Sequence, residues 1–135
     1  MSQSFADVEV GAKLPDLVID VSASLIVAGA LASRDYMPVH HDKAAAQATG
    51  APDIFMNILT TNGLVGRFVT DWAGIDAQVK KVAIKLGAPN YPGETMTLVG
   101  SVAAKDEAAK TVDVEVTGKN SWGNHVTGTV TVALP

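Results

Sequence analysis

The stretch TVDVEVTG (111–118) alternates without a break, with Val112, Val114 and Val116 pointing one way and Asp113 and Glu115 the other. Successive side chains of an extended strand face opposite sides, so this run describes a strand with one dry face and one wet face. The pattern recurs. HVTGTVTVAL (125–134) puts Val126, Val130, Val132 and Leu134 on one face, and VKKVAIKLG (79–87) alternates at Val82, Ile84 and Leu86. ETMTLVGSVAA (94–104) is rich in threonine and valine, and KDEAAK (105–110) and KNSWGN (119–124) supply the turns. Period-two runs joined by short turns predict an antiparallel sheet with one buried face. PDLVIDVS (15–22) adds an early strand.

Such a face needs cover, and the first half of the chain offers helices. SASLIVAGALAS (22–33) begins with Ser22 or Ser24 as N-cap, and DKAAAQAT (42–49) begins with Asp42 and stops at Gly50. The longest helical segment is NILTTNGLVGRFVTDWAG (57–74), with Asn57 as cap and Gly74 as terminator. Ile58, Val65 and Trp72 recur on one side, with Phe68 and Val69 beside them. Gly63 and Gly66 each cost such a helix about 1 kcal/mol relative to alanine, which a close strand approach would justify. The expectation is an α+β domain, an antiparallel sheet wrapped around one long helix.

Hydrophobic residues make up 47% and charged residues 18%, a balance that fits a packed domain. The absence of cysteine excludes disulfides and thiolate zinc sites. The N-terminal residues show no basic region followed by an apolar run, and no apolar stretch reaches the roughly 18 residues of a membrane span. A cytoplasmic protein that does not enter membranes is expected. The net charge of −4 and scattered basic residues weigh against nucleic acid as a partner, though not against an anionic small ligand.

SRDYMPVHHD (33–42) concentrates the titratable chemistry. Pro38 prevents a continuous helix there, so a kinked loop can turn Asp35 and His40 toward one point. A carboxylate beside an imidazole can polarise a water, one group taking its proton and the other supplying one. The plainer alternative is that Asp35 bonds the local backbone and His40 is a loop residue. Asp42 caps the next helix, and His41 is expected to face solvent. Asp35, His40, His41 and Asp42 are metal-ligand types, but adjacent residues rarely converge on one ion and His125 lies far along the chain, so no metal is expected. The other candidate is the start of the long helix, DIFMNILT (53–60), where free N–H groups can receive developing negative charge.

These pieces together resemble the MaoC-like, or R-specific, enoyl-CoA hydratases of the hot-dog fold. Asp35, Pro38 and His40 followed by DKAAAQA match the signature of that family. IFMNILTTNGLVGRF matches its apolar approach and central helix, and KLGAPNYPGETMTL its later proline and Gly-acidic-Thr at Gly93, Glu94 and Thr95. FADVEVGAKLPD is similar to its opening. Arg34 stands where the family usually has glycine, Met37 where it often has asparagine, Met56 where it often has histidine, and Asn57 at the oxyanion glycine. The details look most like the small catalytic subunit of heteromeric hydratases acting on steroid side-chain CoA esters.

The resemblance implies one hot-dog domain over residues 1–135 and water addition to a trans-2-enoyl-CoA giving a (3R)-hydroxyacyl-CoA, without metal or redox cofactor. It implies Asp35 and His40 as the catalytic pair, the Asn57 backbone N–H as oxyanion donor, and Met56 and Ile58 beside the substrate. The implied partners are an acyl-CoA and a second hot-dog subunit, identical or different. A hot-dog acyl-CoA thioesterase is the competing enzyme. It would need a carboxylate near the central helix, and Asp53 and Asp71 sit poorly for that. A catalytically silent acyl-binding or partner subunit is the non-enzymatic alternative.

Overall fold

The computed structural model describes residues 2–135. Strand β1 (Leu17–Asp20) leads into helix α1 (Ala23–Ala32), a 3-10 turn (Pro38–His40), a short helix α2 (Lys43–Ala48) and the long helix α3 (Ile58–Ala73). Four strands follow: β2 (Gln78–Leu86), β3 (Thr95–Asp106), β4 (Thr111–Asn120) and β5 (Gly123–Ala133). They form one five-stranded sheet of order β1-β3-β4-β5-β2, antiparallel at every junction. The fold is the α+β hot-dog arrangement, the sheet curling over α3.

The caps act as the sequence predicts. Ser22 accepts the Leu25 N–H at 3.0 Å, Asp42 the Ala45 N–H at 3.1 Å, and Asn57 the Thr60 N–H at 3.0 Å. Gly50 and Gly74 end their helices at φ +97° and +91°, where a side chain would be strained. The alternating residues Val112, Val114, Val116, Val126, Val130, Val132 and Leu134 are all buried. Each such valine or leucine contributes about 1.5–3 kcal/mol. The predicted turns are shorter than expected, because β3 runs on to Asp106 and β4 to Asn120.

Two details of α3 differ from expectation. Its inner face is Thr61, Val65, Phe68, Val69 and Ala73, whereas Ile58 is 52% exposed and Trp72 is half-buried. Both lie within about 20° of Val65 around the helix, but in its first and last turns. Gly63 and Gly66 admit no strand either, since a Cβ on either would meet nothing within 4 Å. The close approach is made by a glycine of the sheet. A Cβ on Gly100 would lie 2.9 Å from the Phe68 ring. Glu94 proves to be a fastener. Its carboxylate accepts the Ser121 hydroxyl at 2.5 Å and the Ser121 N–H at 3.1 Å, and these bonds hold it below the usual carboxylate range. They tie the entry of β3 to the β4–β5 turn. Among the described residues no helix is long and apolar enough to cross a membrane.

Candidate active site

The site is built where α1 ends. Arg34 takes a left-handed conformation, φ +55°, and reverses the chain, a position that suits glycine. Asp35 then bonds its N–H to Ala30 O at 2.8 Å. Its Oδ1 accepts the Met37 N–H at 3.2 Å, the local turn that aspartate favours. Met37 is extended, as a residue before proline tends to be, and Pro38 opens the 3-10 turn. The turn brings His40 back over Asp35, with His40 Nε2 3.3 Å from Asp35 Oδ2. The plainer reading of Asp35 is therefore true of one oxygen, while the other faces the imidazole.

His40 is 8% exposed and anchored. Its Nδ1 lies 2.7 Å from the Phe55 carbonyl oxygen. A carbonyl only accepts, so Nδ1 carries the hydrogen and Nε2 is left to face the carboxylate. The Phe55 ring packs edge-on at 5.1 Å, and the Phe55 N–H bonds Val39 O at 3.3 Å. The approach to α3 is thus stitched to the 3-10 turn that carries His40.

Asn57 adds the third side. Its Oδ1 accepts both the Thr60 N–H and the Thr60 hydroxyl, the latter at 2.6 Å. That fixes the amide orientation, because the Thr60 N–H only donates. Nδ2 therefore points the other way, to Ser33 Oγ at 2.9 Å and Asp35 Oδ2 at 3.0 Å. The backbone of Asn57 is ordinary extended chain, φ −79° and ψ 160°, so no unusual angle is needed to seat it. Among the described residues its own N–H has no acceptor. Met56, in contrast, is buried in the core with its N–H on Asn90 O at 3.0 Å. Ile58 lies at the surface on the first turn of α3, beside the 50%-exposed Leu59. The fold therefore gathers Asp35, His40 and Asn57, turns the Met56 side chain inward, and leaves Ile58 at the rim.

The Asn57 amide bond is the largest influence holding the Asp35 carboxyl below its ordinary range. The Met37 N–H and the nearby His40 and His41 rings act in the same direction, against a smaller effect of burial. Asp35 is thus a carboxylate at neutral pH.

His41 does not simply face solvent. It is half-buried, and its Nε2 lies 2.7 Å from the backbone oxygen of Asp35, so it staples the loop that presents the carboxylate. Ser33, Phe55 and Thr60 also belong to the site without having been singled out. Phe55 acts through its carbonyl oxygen, which carries no sequence signal, and Thr60 through both its N–H and its hydroxyl. Ser33 is legible only as a helix-ending serine two residues before Asp35. Among the described residues no group of three or more histidines and carboxylates could hold a metal. Asp71 bonds Arg67 and Asp53 pairs with Lys43.

The family model described as "MaoC like domain" matches residues 9–124. The chain is 47% identical over 125 residues to the 3-oxo-4,17-pregnadiene-20-carboxyl-CoA hydratase beta subunit of Mycobacterium tuberculosis, spanning 93% of this chain and 95% of that one. It superposes with a TM-score of 0.91 and 46% identity on a chain of the ChsH1–ChsH2 complex of the same organism, covering 94% of this chain and 98% of that chain. An (R)-hydratase of A. caviae involved in PHA biosynthesis, 23% identical with a TM-score of 0.87 over 96% and 98% of the two chains, shares the fold. The match along most of the chain and the close relative place this protein in the MaoC-like dehydratase family.

Proposed function

We propose that this protein is the catalytic subunit of an enoyl-CoA hydratase that adds water across a trans-2-enoyl-CoA to give a (3R)-hydroxyacyl-CoA, with bulky, steroid-type acyl groups as substrates. The observation that carries this reading is the 3.3 Å approach of His40 Nε2 to Asp35 Oδ2 beside the start of α3. With Nδ1 committed to Phe55, both facing atoms are acceptors and need a shared hydrogen. A water donating to both meets that need. Its oxygen adds to C3 of the enoyl thioester while its proton passes to the pair. A proton then returns to C2, so the pair ends as it began. Asp35 already takes hydrogen bonds from Asn57 and Met37, which weakens it as a base. His40 is therefore the proton carrier, and Asp35 orients the water and stabilises the imidazolium. The Asn57 N–H, at the positive end of α3, bonds the thioester oxygen as charge develops there.

The steroid-type substrate rests on the 47% identical relative, and a second hot-dog subunit on the complex in which a similar chain is found. The outer edge of β2 fits such a partner. Among the described residues it pairs with β5 alone, and Val79 and Leu86 on it are 40% and 37% exposed alongside Lys80, Lys81 and Lys85. An unpaired edge is a place for association.

The test is a spectrophotometric hydration assay with crotonyl-CoA and a steroid side-chain enoyl-CoA, with and without candidate partner subunits. Hydration of the bulky substrate, greatest with a partner present, is expected. Thioester cleavage without hydration would replace this reading with a thioesterase, and binding without turnover with a silent subunit.

A further inference from the structure

We infer that the side chain of Asn57 is a positioning residue for the catalytic carboxylate, locking Asp35 Oδ2 against His40 and joining the carboxylate and the oxyanion donor through one residue. This rests on the proposed hydration, in which Asp35 and the Asn57 N–H act on the same substrate.

The geometry leaves the amide no alternative. Its oxygen is held by two donors of Thr60 on the first turn of α3. Its nitrogen has two hydrogens and two acceptors, Ser33 Oγ and Asp35 Oδ2. Ser33 Oγ in turn donates to Gly29 O at 2.8 Å and is also 3.1 Å from Ala30 O, so it can only accept from Asn57. Asn57 itself is 2% exposed and cannot swing away. The contact to α1 is tight as well, since a Cβ on Gly29 would collide with the Thr60 side chain. α1, the catalytic loop and α3 therefore meet at one amide group.

The consequence is a fixed spacing. The backbone N–H that would receive the thioester oxygen and the amide that holds Asp35 belong to the same residue. Water and substrate are thus registered against each other by a single residue, and misplacement of a reacting group by about 1 Å can cost about 10²-fold in rate. The titratable groups near the Asp35 carboxylate are His40 and His41, both on its own segment. From the packed α3, the neutral Asn57 amide faces it.

Two substitutions test this. Asn57→Gly keeps the backbone N–H and remains an acceptable cap, at a cost of a few tenths of a kcal/mol. Asn57→Asp keeps the cap oxygen but replaces the donor facing Asp35 with a second carboxylate oxygen. The Asp35 carboxyl carbon is followed by NMR in aspartate-labelled protein, with Asp35→Asn to assign it. The Asp35 titration midpoint should move upward in Asn57→Gly and further upward in Asn57→Asp. In assays, kcat should fall by up to about 10²-fold with little change in KM. An unmoved midpoint in both folded variants would overturn the assignment. The titration needs no substrate, so this inference can fail while the hydration reading stands, and the converse.

Discussion

Two histidines of this protein are held by the same device and put to different ends. His40 and His125 each place Nδ1 2.7 Å from a backbone carbonyl, Phe55 for one and Ala88 for the other. Each is therefore the same tautomer, and each presents a bare Nε2. Both sit against the start of α3. The difference is what meets that nitrogen. For His40 it is the Asp35 carboxylate. For His125 it is the Thr61 hydroxyl at 2.8 Å, on an inner position of α3 that is fully buried. A carboxylate can stabilise a proton arriving on the ring, whereas a hydroxyl sealed in the core cannot. Burial accordingly lowers the pKa of His125. In the proposed mechanism an anchored imidazole becomes a proton carrier or an internal strut according to its second partner, and residue type alone does not distinguish the two.

The comparison is broken most severely at Asp35 and His40. Asp35→Asn keeps the shape of the side chain and removes its charge, and His40→Ala removes the carrier. Each should lower turnover by about 10²-fold or more with folding intact, as steady-state assays on thermally checked protein would show. If neither loss appears in an active preparation, the pair is not catalytic.

At His125 the same kind of change should act on stability. His125→Phe leaves the Thr61 hydroxyl and the Ala88 carbonyl without this partner, which costs about 1–3 kcal/mol for each group left unpaired, while the rate per folded molecule is largely kept. Wild-type stability also carries a pH signature. The folded state resists protonation of His125, so its contribution is intact above the ordinary histidine value of 6.5 and declines as pH falls from there toward the lowered folded value. Chemical denaturation at several pH values should show that decline, and His125→Phe should lack that part of it.

His41 is a smaller probe. Its single bond to the Asp35 backbone oxygen is worth about 0.5–1.5 kcal/mol, so His41→Ala should loosen the loop and lower turnover by less than His40→Ala does. An equal or larger loss in His41→Ala would mean that the roles of the two rings have been exchanged. The smallest effects are expected away from both histidines. Gly63→Ala and Gly66→Ala have open space and should each raise stability by up to about 1 kcal/mol. Arg34→Gly should relieve a left-handed backbone by about 1 kcal/mol.

What could be read beforehand follows the same division. The sheet was legible because apolar alternation repeats through β2, β4 and β5. The helices were legible because Ser22, Asp42 and Asn57 stand where caps belong. Asp35 and His40 were legible as a pair through the intervening proline, and the proposal that they are catalytic came from the family pattern. The anchors were not. The Phe55 and Ala88 carbonyls are backbone atoms, identical in every residue, and only the fold brings them to the two rings. Asn57 was read for its N–H, because its amide finds Asp35 only once α1 and α3 are packed. Gly63 and Gly66 misled for a related reason, since the strand approach they suggested is made by Gly100 of β3.

The central claim is that Asp35 and His40 act on one water as a unit. The measurement that tests it most directly is a double-mutant cycle in kcat on the steroid-type enoyl-CoA, using Asp35→Asn, His40→Ala and the combined variant in the active assembly. Groups that work as a unit are strongly non-additive. The double variant should therefore be little slower than the slower single one. Losses that multiply, with the double variant about 10⁴-fold down where each single is about 10²-fold down, would show two independent groups and contradict the shared-water mechanism.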